Sequence, residues 1–343
     1  DLLIFHKETN KEAKNFSTGE QKIIIMSIIF SYLNTLEKIK YDKILFLLDD
    51  IFSYLDSRFI KNILSTEKKI KWLNKQSLLN FKEIEVTSFV PKKVVPQFFD
   101  AKIILNEANK ISNLTSSVLV PNLFGAKKAL ELNAQKINYV LSASESHNKA
   151  NVNKDVNSSI NELNEIINYN NNLEKKSSIS VAISTSFGCS IEGKVSPNKV
   201  LNIVEKVTHL GVDEINIADT VGYGNPYNVK YLFKHVIEIA GKDKIFAHFH
   251  DTRGLGLANV IAVLELGIFK FDSSLCGLGG CPFAPGASGN IPTEDLIYLL
   301  KSLGIHTGIN LHSLLDFCKF VKDWFPNEKL EGKLSKAGLP VGF

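Results

Sequence analysis

Arginine is nearly absent from this chain of 343 residues. Lysine and arginine together number 40, yet the two arginines are Arg58 and Arg253. Any chemical step that needs a guanidinium therefore has two candidate residues. The formal net charge is only +4, which argues against a protein that binds nucleic acid through its charge.

Cysteine and long apolar runs are also scarce. The four cysteines are too few for a disulfide framework, and without a recognisable secretory leader they indicate reduced thiols in the cytoplasm. No stretch of 18 apolar residues occurs, so the sequence predicts no membrane-spanning helix.

Short apolar segments alternate with longer helical patterns from residue 83 onwards, which predicts a parallel α/β sheet. Seven strands with helices between them fit a (β/α)8 barrel that lacks one strand. A doubly wound sheet is the alternative, but no G-x-G-x-x-G follows an early strand. The predicted strands are 83–88, 116–120, 137–142, 178–185, 213–218, 244–250 and 269–275. The predicted helices lie near 125–134, 155–173, 197–210, 226–240 and 256–267.

The first 62 residues have a different pattern. F-S-T-G-E-Q-K (16–22) precedes K-I-L-F-L-L-D-D (43–50), and the pair resembles the signature motif and Walker B strand of ABC-type ATPases, most closely the C-terminal end of the RecF recombination protein. In such enzymes one strand-end carboxylate coordinates Mg²⁺ and a second orients a water molecule. The chain lacks G-x-x-x-x-G-K-[ST], so no loop can hold the phosphates, and a plain core strand remains the simpler interpretation.

A candidate metal site follows the predicted strand 244–250. His248 and His250 lie two residues apart and therefore face the same side of an extended chain, at the end of a barrel strand where barrel chemistry occurs. A loop rich in glycine and proline, 273–290, presents the thiol of Cys281 and the amide oxygen of Asn290. A structural histidine pair and a tight loop with a buried cysteine are the alternatives.

Two acids stand near the ends of other predicted strands. Glu85 lies on the E-I-E-V-T strand, and Asp219 ends E-I-N-I-A-D. Acids at such positions are candidates for the active site of a barrel, but Asp219 could equally cap the following turn.

Seven segments in order resemble 3-hydroxy-3-methylglutaryl-CoA (HMG-CoA) lyase, from about Ser65 to the C-terminus. The resemblance implies a metal-dependent barrel lyase over 63–343 that cleaves HMG-CoA to acetyl-CoA and acetoacetate, preceded by the RecF-like fragment 1–62. The matching segments are IEVTSFVPKKVVPQ (84–97), PNLFGA (121–126), FGCSIEGKVSP (187–197), EINIADTVGYGNP (214–226), HFHDT (248–252), the Cys281 loop and GNIPTEDLIYLL (289–300).

The resemblance also implies roles for the candidate residues. Mg²⁺ or Mn²⁺ would be held by His248, His250 and Asn290. Cys281 and His248 would contribute acid–base chemistry, with Glu85 and Asp219 as supporting carboxylates. The partner would be a small CoA thioester, without a membrane or nucleic acid, and a homodimer is compatible with this class.

One family feature is missing. The family's first barrel strand ends in R-D-G-L-Q-N-E, whose Asp is a metal ligand and whose Arg stabilises the enolate, and this chain has no such segment. We expect KILFLLDD to fill the vacant barrel position, with Asp49 or Asp50 as a substitute ligand, and lyase activity to be impaired. A non-catalytic fusion remnant is the alternative from another class, and an ATP-linked DNA-repair module is disfavoured.

Smaller departures from the family lie nearer to the site. Cys276 and Phe283 stand where the family usually has Ala and Tyr. Arg253 replaces the Tyr that usually follows H-x-H-D-T, close to the predicted metal site. It is either a solvated charge at the rim or an obstacle to the substrate.

Overall fold

A computed structural model describes residues 45–48 by their backbone, and residues 64–279, 289–325 and 330–343 in full. The strands within these ranges are β1 (Leu45–Leu48), β2 (Glu83–Ser88), β3 (Thr115–Val120), β4 (Lys136–Ser142), β5 (Ser178–Ser184), β6 (Glu214–Asp219), β7 (Ile245–Phe249) and β8 (Lys270–Ser273). The helices are α1 (Thr66–Ser77), α2 (Ala101–Ala108), α3 (Leu123–Glu131), α4 (Glu145–Val152), α5 (Val156–Asn171), α6 (Pro197–His209), α7 (Pro226–Ala240), α8 (Gly256–Leu264), α9 (Thr293–Ser302), α10 (Leu311–Trp324) and α11 (Leu334–Ala337).

All eight strands are parallel and close into a barrel in chain order. β1 pairs with β2, Leu47 opposite Glu83, and with β8, Leu45 opposite Lys270. The predicted (β/α)8 fold is therefore confirmed, and the segment 45–48 occupies the position that the sequence left vacant. The remaining residues of the first 63, with the RecF-like motif, Asp49 and Asp50, lie outside the described residues.

The even-numbered strands mostly alternate between apolar residues that face the helices and polar residues that face the barrel interior. On β4, Ile137 and Tyr139 are fully buried between the sheet and the helices, whereas Lys136 and Asn138 contact side chains from other strands inside the barrel. Period-two alternation is what a strand requires when its two faces meet different surroundings. The interior is thus polar along the strands that lead to the site.

Two layers of polar side chains fill the lower part of this interior, one residue from each even-numbered strand per layer. Alternate strands supply the side chains of one layer in barrels of this kind. The charge layer, nearest the strand amino ends, contains Glu83, Lys136, Glu214 and Lys270. The polar layer above it contains Glu85, Asn138, Asn216 and Asp272. Both layers hold fixed hydrogen-bonding groups beneath the carboxyl ends of the strands.

Candidate functional site

The two histidines of the H-x-H motif lie together at the carboxyl end of β7. Their ring centroids are 5.1 Å apart, and His250 is buried whereas the His248 side chain is 12% exposed. His248 lies in β7 and His250 directly follows that strand, so extended backbone places both side chains on the same side of the chain. The predicted convergence of these two side chains is confirmed.

Asp272 of the polar layer orients His248. Its Oδ2 lies 3.2 Å from His248 Nδ1 and also accepts a hydrogen bond from Asn216 Nδ2. A carboxylate on one imidazole nitrogen fixes the ring and its tautomer, and makes the other nitrogen more basic toward a metal. His248 would therefore coordinate a cation through Nε2.

Asp272 was missed by the sequence reasoning. It occurs within F-K-F-D-S-S, which we interpreted as an apolar strand, and the signal was a carboxylate at an interior position of that strand. The register then places Asp272 opposite His248 on the neighbouring strand. Only the order of strands around the barrel reveals that contact.

Asn290 is held beside His250 by backbone pairing. The two residues form an antiparallel bridge, flanked by hydrogen bonds from Asp251 N to Gly289 O (3.0 Å) and from Ile291 N to Phe249 O (3.1 Å). Asn290 Nδ2 donates to Leu278 O at 3.3 Å, which settles the amide orientation. The carbonyl oxygen of the side chain is then the end available to a ligand.

Two buried atoms at this point have no hydrogen-bond partner among the described residues, His250 Nδ1 and Asn290 Oδ1. Burial, and next the charge of His248, lower the pKa of His250 well below its ordinary value, so the imidazole is neutral at pH 7. Neutral imidazole nitrogen and amide oxygen are metal ligands, and buried polar atoms without partners are costly unless something binds them. The donors present therefore fit a divalent cation.

Asp219 supports the loop between β6 and α7. Its two carboxylate oxygens accept from Tyr223 N (2.8 Å) and Gly224 N (2.9 Å), so the local capping role is present. A Cβ on Gly224 would stand 2.8 Å from Asp219 Oδ2, which explains the glycine. Burial raises the pKa of Asp219 to about 6, against the opposing effects of these hydrogen bonds and of the positive charges of His248 and Arg253.

Arg253 is bound to the same loop. Its Nη1 donates to Val221 O at 2.7 Å, and the guanidinium lies 4.6 Å from the ring centroid of Tyr223. Arg253 is exposed, and these contacts fix the position of its guanidinium. Its side chain braces the β6–α7 loop next to Asp219.

Glu85 is buried inside the barrel. Its Oε2 accepts a hydrogen bond of 2.5 Å from Asn138 Nδ2, and both side chains are buried. Glu85 thus belongs to the polar layer that also contains Asp272. Its role at the site stays a prediction.

Cys281 lies outside the described residues, within 280–288. The two ends of that segment are described, and they meet where Asn290 N donates to Gly279 O at 3.2 Å. A Cβ on Gly289 would stand 2.1 Å from Gly279 O, and Gly289 has a φ of 101°, so this closure requires glycine. The loop that contains Cys281 therefore begins and ends beside Asn290.

The fold and the site define a class. A closed barrel of parallel strands, with two histidines and an amide oxygen converging at the carboxyl ends, is typical of a metal-dependent (β/α)8 barrel enzyme. Within the described residues, no helix is long and apolar enough to cross a bilayer.

The chain belongs to the HMGL-like family, whose model matches residues 57–321. It is 39% identical to the human mitochondrial hydroxymethylglutaryl-CoA lyase over 279 residues, 81% of this chain and 84% of that protein. It is 38% identical to the Bacillus subtilis hydroxymethylglutaryl-CoA lyase YngG over 261 residues, 76% and 86% of the two chains. These relatives indicate a carbon–carbon lyase.

Solved structures of HMG-CoA lyases are also similar to this chain. An HMG-CoA lyase from Acinetobacter baumannii, in complex with coenzyme A and 3-methylmalate, superposes with a TM-score of 0.82 at 36% identity, over 88% of this chain and 97% of that one. A hydroxymethylglutaryl-CoA lyase from Pseudomonas aeruginosa has a TM-score of 0.78 at 30% identity, over 86% and 97%.

Proposed function

We propose that this chain binds HMG-CoA and cleaves it to acetyl-CoA and acetoacetate, in a reaction that needs Mg²⁺ or Mn²⁺ and proceeds slowly. The observation that carries the proposal is the pair of unpartnered donor atoms, His250 Nδ1 and Asn290 Oδ1, beside a histidine oriented by Asp272. Family membership supplies the substrate class.

His248, His250 and Asn290 would hold the cation. When bound, the ion would polarise the hydroxyl and carbonyl oxygens of the substrate and lower the energy of negative charge that develops on them. His250 suits this role because its imidazole is neutral, and Asn290 suits it because an amide oxygen is a hard donor.

The chain's own groups would move the protons. The C3 hydroxyl of the substrate must lose a proton before the C2–C3 bond breaks, and the departing acetyl-CoA enolate must gain one. We assign this work to His248, at the barrel mouth, and to Cys281, with Glu85 and Asp219 as supporting carboxylates. A carboxyl group with a pKa of about 6 can exist in either protonation state near neutral pH, which favours a proton-holding role for Asp219.

We expect slow cleavage because the chain lacks the arginine of the family motif. The family motif places Arg and Asp in succession after the first strand, and this chain contains no Arg-Asp pair. Arg253 is bound to the β6–α7 loop, so it does not replace the missing group. Removal of one group that stabilises an oxyanion costs about 10²–10³ in rate.

The test is prolonged incubation of the purified chain with HMG-CoA, with and without Mn²⁺, and identification of both products by mass spectrometry. We expect acetyl-CoA and acetoacetate in equal amounts, only with the metal. If neither product forms although the substrate binds, the non-catalytic alternative is correct.

We also propose the organisation inferred from the sequence: a RecF-like fragment over 1–62, a lyase-like barrel over 63–343, a cytoplasmic location and a homodimer. The motif in 16–22 and 43–50 supports the first of these. ATP binding by the purified chain would instead favour the ATP-linked alternative, and sedimentation of a monomer would contradict the homodimer.

A further inference from the structure

Two cysteines and a glutamate meet in a buried cluster next to the carboxyl end of β8. Cys276 lies in the 3-10 turn Leu275–Gly277 after β8, Glu294 in the first turn of α9, and Cys318 in α10. Their exposed fractions are 1%, 0% and 2%. The two Sγ atoms and a carboxylate oxygen all lie within 4.8 Å of one another.

The carboxylate of Glu294 is incompletely satisfied in this cluster. Its Oε2 accepts from Cys276 N at 3.0 Å, but its Oε1 accepts no hydrogen bond of ordinary geometry from the described residues. Gly332 packs directly against it, since a Cβ there would stand 1.8 Å from Oε1. A fully buried carboxylate oxygen of this kind requires a proton or a cation.

We propose that Cys276, Glu294 and Cys318 bind one Zn²⁺, at a site separate from the catalytic cation. Two thiolates and one carboxylate are ligands of Zn²⁺, whereas Mg²⁺ and Mn²⁺ prefer oxygen donors. Ligand atoms around a tetrahedral zinc ion lie about 3.5–3.8 Å apart, given Zn–S and Zn–O distances of about 2.3 and 2.1 Å. The three candidate ligand atoms lie within 4.8 Å of one another, so small side-chain movements would bring them to these separations.

Binding is an exchange of protons for metal. Each thiol, and the Glu294 carboxyl where it is protonated, releases its proton to solvent as its sulfur or oxygen binds the ion. The three protein atoms leave one tetrahedral position for a water molecule. No electrons are transferred, and a disulfide is disfavoured because the burial of both sulfurs shields them from an oxidant or a thiol reagent.

At this location a bound Zn²⁺ would link three segments of the chain. It would connect the turn after β8 to α9 and α10, at the point where Gly277 precedes the loop that contains Cys281. The base of that loop would then be fixed independently of the catalytic cation.

The experiment is cobalt substitution of the full-length chain, because thiolate–Co²⁺ bonds absorb in the near ultraviolet and nitrogen or oxygen ligands do not. We expect one equivalent of Co²⁺ with a thiolate charge-transfer band, displaced by Zn²⁺. The band should persist in His250→Ala, which weakens the other site, and in Cys189→Ala, which removes a buried thiol outside the cluster. It should disappear in Cys276→Ala and in Cys318→Ala.

Absence of the band in the wild-type chain, or its persistence in both cluster variants, overturns the proposal. If those variants do not fold, zinc K-edge absorption of the wild-type chain with one equivalent of Zn²⁺ decides the matter. Two sulfur scatterers at about 2.3 Å support the cluster, and nitrogen and oxygen scatterers alone overturn it. Neither result depends on whether the chain cleaves HMG-CoA.

Discussion

At the scale of single residues, the site depends on how one carboxylate holds one histidine. Asp272 Oδ2 lies 3.2 Å from His248 Nδ1 and is itself held by Asn216. The sequence predicted His248, His250 and Asn290 as candidate ligands, because their spacing is local or their loop is distinctive. It could not predict Asp272, because that contact arises between neighbouring strands and depends on register.

Replacement of Asp272 by Asn should weaken metal binding without removing a ligand. The amide is nearly isosteric but carries no charge to support the histidine, and loss of such a partner costs about 10–100-fold in metal affinity. The measurement is Mn²⁺ titration followed by electron paramagnetic resonance. Asp316→Asn, the same chemical change on the exposed face of α10, is the control and should leave the affinity unchanged; equal affinities in all three proteins would contradict the assignment.

At the scale of elements, the even-numbered strands are held together by the charge layer. Lys136 of β4 lies 2.9 Å from Glu83 Oε1 of β2 and also pairs with Glu214 of β6, and its Nζ is 4.6 Å from the ring centroid of Phe246. The sequence predicted these strands to within about two residues, since short strand-like segments alternate with longer helical patterns along the chain. It could not predict this network, because its members are distant in the chain and meet only in the closed barrel.

Lys136→Met should destabilise the barrel strongly. Removal of the lysine leaves the buried carboxylate of Glu83 without its cation, which costs about 3–5 kcal/mol, whereas Glu214 keeps its ion pair with Lys270. Chemical denaturation measures the change in unfolding free energy. Lys110→Met removes an exposed partner of Glu107 and should cost less than about 1 kcal/mol; a similar cost for both variants would show that the charge layer contributes little.

The same layer predicts how stability depends on pH. Burial raises the pKa of Glu83 from 4.5 to about 7, although Lys136 opposes the shift. Between these two pKa values the folded state binds a proton that the unfolded state has lost. The contribution of Glu83 to the unfolding free energy therefore falls as pH rises from about 4.5 to above 7, by up to about 3 kcal/mol. In Glu83→Gln the unfolding free energy should fall less between pH 5 and pH 8 than in the wild-type chain. The same pH dependence in both proteins would contradict the raised pKa of Glu83.

At the scale of the whole molecule, closure of the barrel rests on the segment 45–48. Its backbone pairs with β2 on one side and β8 on the other. The sequence predicted that this apolar run could fill the vacant position, because its length and pattern suit a buried strand. It did not predict α10, whose residues lie beyond the last predicted strand, and so it did not predict the cysteine cluster.

Phe46→Pro should open the barrel. Proline removes a backbone donor from a strand that is paired on both edges, so we expect a lower melting temperature. Thermal unfolding compares it with Lys176→Pro, in the exposed loop before β5. If both substitutions lower the melting temperature equally, β1 does not contribute to the closed barrel.

The most direct test of the central claim is steady-state release of acetoacetate from HMG-CoA by the wild-type chain and by His250→Ala, with Mn²⁺ and with chelator. We predict turnover below about 1 s⁻¹ for the wild-type chain, lower than the typical enzyme range. Release should stop with chelator and in His250→Ala. Turnover above that value would contradict the impairment, and release that survives chelation or the loss of His250 would contradict the metal site itself.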